Sequence, residues 1–414
     1  MEDLNIILLI IGGIVLILGA LSGYIKNRTW FSEPLIALLL GILIGPSGLD
    51  LLNSADWGDP LSILEEAARL TLAISLMAVA LRVPENYVFH NWRSMAVLIG
   101  LIMPVMWITS SLIVYFFLGV SLFTAFLMGA ILTPTDPVVA SSIVTSVTAK
   151  SKLRDDIRFT ISAESGLNDG MIFPLVMLPV LLLALPVNQA AGSWLTQTLI
   201  WETAGGLIFG LITGHLAGRI LHWAENNEII ENTSFLSYSI SLSLVTVGAA
   251  SLMGLNDIFA VFICGLTFGY VVGGKDRYEE EGVQEAVSQF FTLPIFTLLG
   301  LALPWSNWLD LGITGLLLVI MILLFRRLPS FIILKPALRT FKGWGDVLFA
   351  GWFGPIGIST LFYATFSVRQ TGNDEIWTIC SLVIFASIFI HGFSAHPAIM
   401  LYDKNLKAKY NNTA

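Results

Sequence analysis

The sequence predicts an all-α polytopic membrane protein. It would have about thirteen transmembrane helices in two inverted six-helix repeats, with broken helices crossing near the bilayer midplane. Three observations carry this expectation. Of 414 residues, 56% are hydrophobic and 12% charged, with a mean hydropathy of +0.81, whereas a soluble domain carries about 25% charged residues. Apolar runs of roughly 20 residues, the length a helix needs to span a bilayer, recur from one end of the chain to the other. Two of these runs, one in each half, are interrupted by proline and glycine. No polar stretch is long enough to build a separate soluble domain, so residues 1–414 read as a single transmembrane domain.

The first run, 4–25, follows Met1-Glu2-Asp3 directly. It lacks the basic n-region and small-residue cleavage site of a secretory signal, so a retained helix is expected. Breaks rich in polar and turn residues then delimit segments near 31–49, 61–82, 94–118, 121–149, 157–185, 195–222, 234–253, 256–273, 287–304, 310–335, 345–367 and 376–402. The basic residues test the alternation. Lys26 and Arg28, Arg82 and Arg93, the set from Lys150 to Arg158, Arg219, Lys275 and Arg277, the set from Arg326 to Lys342, and Lys404 to Lys409 all fall on one side. That is nineteen of the 21 Lys and Arg, with Arg69 and Arg369 the exceptions. By the positive-inside rule this side is cytoplasmic, which puts the N-terminus outside and the C-terminus inside the cytoplasmic membrane. Trp57, Trp305 and Trp308 then fall in outer loops, where interfacial aromatics belong. Cys264 and Cys380 sit in separate apolar runs and read as buried small residues rather than a disulfide or metal pair. The net charge of −8 favours cations near the surface.

The fifth segment is broken by Pro134 and Pro137, the twelfth by Gly351-Trp352-Phe353-Gly354-Pro355-Ile356-Gly357. They are seven spans apart, so the two breaks fall in helices of opposite direction. This predicts one repeat over about 1–185, a connector helix over about 195–222 and a second repeat over about 234–402. Kinking without a repeat is the plainer alternative, since Pro and Gly are common in membrane helices.

Proline has no N–H for the carbonyl four residues earlier, so Pro134 frees that of Ala130 and Pro137 that of Thr133. Asp136, preceding a proline, is pushed toward extended geometry. Two half-helices with an unwound centre follow, with bare backbone groups beside Thr133, Thr135 and Asp136. Such backbone survives in a membrane only where it is buried or lines an aqueous cavity. The sixth span carries Glu164-Ser165-Gly166-Leu167-Asn168-Asp169. At about 100° per residue, Ser165, Asn168 and Asp169 share one arc of a helix, with Glu164 at its edge. A charge at the bilayer centre costs roughly 2.5–3.5 kcal/mol on insertion scales, so acids there point to an ion pathway. Oxygen ligands suit a hard cation. A carboxylate that holds either a cation or a proton is itself a coupling rule for exchange.

Thr135-Asp136-Pro137 followed by Glu164-Ser165-Gly166-Leu167-Asn168-Asp169-Gly170 resembles the signature of the monovalent cation:proton antiporter-1 family, the NhaP-type sodium/proton antiporters. Gly354-Pro355-Ile356-Gly357 and His391-Gly392-Phe393-Ser394 are also similar, and the resemblance covers nearly the whole chain. It implies exchange of Na⁺ or Li⁺ for H⁺, a part in pH homeostasis, a homodimer, and no cofactor beyond the transported ions. It implies that Asp169 binds cation and proton in turn, with Asp136, Ser165 and the Thr135 carbonyl at the Na⁺ site. Asn168 stands where electrogenic relatives carry a second aspartate, which implies electroneutral exchange. Glu164 would pair with an arginine of the eleventh span; Arg327 matches better, with Arg326 adjoining it. The sequence departs from the family in two places. The third span has no acid in its middle, Ser75-Leu76-Met77-Ala78-Val79-Ala80, and Ile356 stands where many relatives have a basic residue.

Other polar residues have plainer readings. Glu65, four before Arg69, suits a helix-surface pair. Asn256-Asp257 suits a helix cap. Glu279-Glu280-Glu281 reads as a solvated loop. His391 is a proton relay or a packed histidine, and Glu202 has no assigned role. K⁺/H⁺ exchange on the same scaffold is the near alternative. An intramembrane aspartyl protease using Asp136 and Asp169 and a channel are the alternatives of other classes. The protease reading leaves Asn168 and the two broken spans unexplained, and no nucleic-acid partner or enzymatic activity is expected.

Overall fold

The computed structural model describes residues 2–29, 31–229, 234–273 and 275–411, and among these it contains no strand. The longer helices in chain order are α1 (Glu2–Arg28), α2 (Glu33–Ile44), α3 (Pro60–Arg82), α4 (Trp92–Leu118), α5 (Leu122–Ile131), α6 (Asp155–Ala184), α7 (Val187–Asn226), α8 (Ser234–Leu252), α9 (Asp257–Val272), α10 (Lys275–Leu301), α11 (Trp305–Ile333), α12 (Trp344–Trp352), α13 (Ile358–Thr371) and α14 (Glu375–Asn411). Seven of them are long and apolar enough to cross a membrane: α1, α4, α6, α7, α8, α11 and α14. The termini follow local chemistry. Ser32, Asp59, Ser121 and Asn256 each accept a backbone N–H of the first turn of α2, α3, α5 and α9. Gly119 and Gly372, in left-handed geometry, end α4 and α13.

The helices pack as two groups. In one, α3 lies against α8, α9 and α10, while α2 lies on α10 and α7 on α9. In the other, α5 packs on α4 and α6, and α11 packs on α4, α12 and α14. The groups meet where α3 contacts α13 and α6, and where α6 contacts α9. The α7–α9 contact is the most extensive. Gly206, Gly210, Gly214 and Gly218 form a stripe at helical spacing on α7. A Cβ at Gly210 would sit 2.4 Å from the Ala260 carbonyl, and one at Gly214 2.4 Å from that of Cys264. Small residues let two backbones approach this way where no hydrophobic effect drives helix association.

Several expectations need correction. The seventh segment is longer than 195–222, running through Val187–Asn226 with a π-helical stretch at Trp194–Ala204. The helix expected over 287–304 runs from Lys275 to Leu301, so Glu279-Glu280-Glu281 lie on its first turns rather than in a loop; their side chains are outside the described residues. Trp308 is 9% exposed and donates to the Thr378 carbonyl at 3.0 Å, which makes it a core residue and not an interfacial one. Glu65 does not pair with Arg69. It is buried and bonded to Arg369 of α13, while Arg69 holds Glu66 at 2.9 Å and Asp257 at 3.2 Å. The buried acid takes the partner that closes a tertiary contact instead of the one on its own helix. Cys264 and Cys380 are buried free thiols.

Candidate functional site

Helix α5 stops at Ile131, and the chain is non-helical through Thr133, Pro134 and Thr135. Helix α12 stops at Trp352, and the Phe353–Gly357 segment is likewise non-helical. The two breaks touch. The Asp136 N–H donates to the Pro355 carbonyl at 2.8 Å, and the Thr360 hydroxyl donates to the Ile131 carbonyl at 2.9 Å. One arginine accounts for most of the remaining carbonyls. Arg326 donates to those of Leu132 (2.6 Å), Thr133 and Pro134 (both 3.1 Å), and also to that of Gly354. Backbone acceptors freed by proline must find donors when buried, and this buried guanidinium supplies them to both breaks.

Asp136 supplies the complementary charge. Its Oδ1 accepts from the N–H groups of Val138 (2.6 Å) and Val139 (3.0 Å), and its Oδ2 accepts from Ile358, the first residue of α13. A fully buried carboxylate is thus held by three backbone donors, one at a helix N-terminus, where the dipole favours an anion. The approach is close enough that a Cβ at Gly357 would lie 2.2 Å from Asp136 Oδ2.

On α6, Glu164 forms a two-pronged ion pair with Arg327, at 2.6 and 2.8 Å, both side chains being 2–3% exposed. Arg327 also donates to the Ala350 carbonyl, and its guanidinium lies over the Phe331 ring. Of the two candidate arginines, Arg327 therefore contacts Glu164, while Arg326 serves the backbone. Asn168 donates to Glu164 (2.7 Å) and to the Thr135 hydroxyl (3.2 Å), and Thr135 contacts the Ser165 hydroxyl at 3.1 Å. The five residues Thr135, Asp136, Ser165, Asn168 and Asp169 are thereby brought into one buried region.

Asp169 differs from the rest. It is fully buried, and among the described residues neither carboxylate oxygen has a hydrogen-bond partner. The Asn168 amide oxygen and the Ser359 hydroxyl are likewise buried and unpartnered. Ser359 lies beside the Asp169 carboxylate, close enough to interact with it but not in well-formed hydrogen-bond geometry. One turn further along α13, the Tyr363 hydroxyl donates to the Asp169 backbone carbonyl at 3.1 Å. Two cavities reach the first break from the side carrying Thr29, Arg82 and Ser146. One is lined by Glu33, Pro137, Val138 and Gln289, the other by Ser32, Val139, Gly392 and His396.

The sequence family model described as sodium/hydrogen exchanger, transmembrane, matches residues 12–401. The chain belongs to the sodium/hydrogen exchanger family. It is 30% identical over 416 residues to Na(+)/H(+) antiporter 2 of Zygosaccharomyces rouxii, covering 93% of this chain and 51% of that protein. The Na(+)/H(+) antiporter of Schizosaccharomyces pombe is 29% identical, covering 99% and 93%. The K(+)/H(+) antiporter NhaP2 of a Shewanella species is 24% identical, covering 97% and 68%. The chain spans about half the length of the Zygosaccharomyces relative. Among solved structures, the sodium proton antiporter MjNhaP1 of Methanocaldococcus jannaschii at pH 8 superposes with a TM-score of 0.74 at 21% identity, covering 97% and 99%, which identifies the same fold.

Within this exchanger fold, sequence reasoning missed Ser359, Tyr363 and the role of Arg326. Ser359 had a readable signal, being two residues past the Gly354–Gly357 break on a new helix start. His391 bonds to the Ser387 carbonyl and the Trp352 carbonyl, at 2.9 and 3.1 Å, so it ties α14 to the second break. Asn256 caps α9 through the Phe259 N–H and also donates to the Gly170 carbonyl at 2.8 Å. Glu202 is close to Gln197, at 3.5 Å, and gains no role.

Proposed function

We propose that this protein exchanges Na⁺ or Li⁺ for H⁺ across the cytoplasmic membrane, with Asp169 as the group that holds the two ions alternately. The observation that supports this reading is the bare Asp169 carboxylate. Burying an ionised carboxylate without donors or a counter-ion is prohibitively costly. A bound cation or a bound proton each removes that cost, and one excludes the other. The oxygens of Ser165 and Thr135 and the Asn168 carbonyl are neutral ligands of the kind a hard monovalent cation accepts, by extension from divalent sites. Asp136 adds charge nearby, held in place by three backbone N–H groups.

In this reading the protein is a homodimer with its N-terminus outside, and the two cavities beside Pro137 and Val139 open to the cytoplasm. Residues 1–185 and 234–402 are the inverted repeats, with 195–222 as connector. The bundle containing α5, α6 and α11–α14 rocks against the rest to expose Asp169 to each side in turn. One-for-one exchange fits a site in which neutral Asn168 stands beside Asp169 and Glu164 is tied to Arg327. The relatives named as K⁺/H⁺ antiporters make K⁺ the rival cation.

The test is transport in proteoliposomes with Na⁺, Li⁺ and K⁺ compared, with and without clamped voltage. Proton flux should require Na⁺ or Li⁺, ignore voltage and vanish in Asp169→Ala. The apparent KM for Na⁺ should rise as pH falls while the maximal rate holds, since protons compete for the same carboxylate. Flux driven by K⁺ alone would replace the reading with its rival. Full activity of Asp169→Ala would remove it.

A further inference from the structure

We infer that the Ser359 hydroxyl is a ligand of the transported cation, so that the ion shell is completed from the second broken helix as well as from the first break and α6. This rests on the exchange proposed at Asp169 and names a residue of that site. Among the described residues, the buried oxygens of α6 and α13 without a hydrogen-bond partner include both of Asp169, the amide oxygen of Asn168 and the hydroxyl of Ser359, with the hydroxyls of Ser162 and Ser367 further along the same two helices. Buried polar groups are almost always satisfied, so a cluster of unsatisfied ones marks a place that a ligand, ion or proton fills.

Two independent bonds fix the placement of Ser359. Ile358, its neighbour, donates its N–H to Asp136. Tyr363, one helical turn later on the same face of α13, donates to the backbone of Asp169. The face carrying 359 and 363 is thereby held against α6 at the level of Asp169. Ser359 is 1% exposed, so water outside the protein does not satisfy it.

The chemistry of a hydroxyl suits both occupants of the carboxylate. With a cation bound, the Ser359 oxygen turns its lone pairs to the ion and its proton away. With Asp169 protonated, the same oxygen accepts the new carboxyl hydrogen or donates to the other carboxylate oxygen. The cation gains a ligand from Ser359, whereas the proton only exchanges one hydrogen-bond partner for another. Removing the hydroxyl should therefore weaken the cation more than the proton. Ser359 is unlike Ser165 here, because the Ser165 hydroxyl already has the Thr135 hydroxyl as partner.

The experiment uses the full chain in proteoliposomes and in detergent. Ser359→Ala should raise the apparent KM for Na⁺ about tenfold at a fixed pH with the maximal rate kept, and Ser359→Thr should restore it. In detergent, the Na⁺ concentration that raises the melting temperature should increase by a similar factor, while the melting temperature without Na⁺ stays at the wild-type value. If Ser359→Ala keeps the wild-type KM, or changes the melting temperature and not the KM, Ser359 is a packing residue and the inference fails. That outcome leaves Asp169 exchange intact. If the wild-type protein itself shows no cation-dependent proton flux, the functional reading fails first, and the melting shift with Na⁺ still decides whether Ser359 binds the ion.

Discussion

Asp136 and Asp169 are both fully buried acids on the same small patch of the fold, and they are held in opposite ways. Asp136 is saturated by three backbone N–H groups contributed by two broken helices. Asp169 receives none. A carboxylate that donors already neutralise is a structural anion, and its removal unbinds the pieces it joins. A carboxylate left without donors in a buried place calls for a positive charge or a proton. Residue type and burial therefore do not separate the two acids, whereas the count of donors around each does.

The largest expected effect tests the bare acid. Asp169→Asn should lower cation-dependent proton flux at least a hundredfold while leaving the melting temperature of the purified protein unchanged or higher. No hydrogen bond to the side chain is lost, and the cost of a buried charge disappears. An unfolded or much less stable Asp169→Asn would mean that hidden donors hold Asp169 as firmly as Asp136.

Glu164 offers the next contrast, since it is an acid neutralised by a side chain and not by backbone. Glu164→Gln leaves the Arg327 guanidinium buried with the Ala350 carbonyl and the Phe331 ring face. Breaking such a pair costs about 3–5 kcal/mol. The drop should appear in chemical or thermal unfolding before any change in ion selectivity, and a double variant replacing both members should recover part of it.

Asp136→Asn should cost less stability than Glu164→Gln and more than Asp169→Asn, and yet still stop transport. An amide can accept from Val138 and Val139, but its NH₂ then faces the Ile358 N–H, donor against donor. One buried N–H left unpaired costs about 1–3 kcal/mol. Detergent melts of Asp136→Asn and Asp169→Asn side by side decide the comparison, and equal melting temperatures would erase it.

The contrast between the two acids was only half legible in the sequence. The breaks were readable because proline chemistry is local: Pro134 and Pro137 remove specific bonds wherever they fall. The shared face of Ser165, Asn168 and Asp169 was readable because helical spacing is local too. What depended on which distant donor arrives was not. Arg326 and Arg327 adjoin each other where α11 loosens, and only the fold sends one to the carbonyls of both breaks and the other to Glu164. Glu65 found Arg369, 304 positions away, in place of a neighbour on its own helix. The Gly206–Gly218 stripe was the reverse case: its four-residue spacing stood in the sequence, and what it packs against required the structure.

The smallest effect separates neutral oxygens from charged ones. Ser165→Ala removes a hydroxyl that already contacts Thr135 at 3.1 Å, and Thr135 keeps the Asn168 amide as a donor afterwards. The structure should hardly notice the loss, since a net hydrogen bond of this kind is worth about 0.5–1.5 kcal/mol. In the proposed site the cation would lose one neutral ligand and the proton nothing, because a serine hydroxyl does not titrate in this range. The apparent KM for Na⁺ should therefore rise about two- to fivefold, with the maximal rate unchanged and the competitive effect of protons on Na⁺ preserved. Steady-state exchange in proteoliposomes across a range of Na⁺ and pH reads all three at once. A fall in maximal rate with no change in KM would show that Ser165 positions Thr135 and does not meet the ion, and the neutral half of the site would then have to be sought on α13.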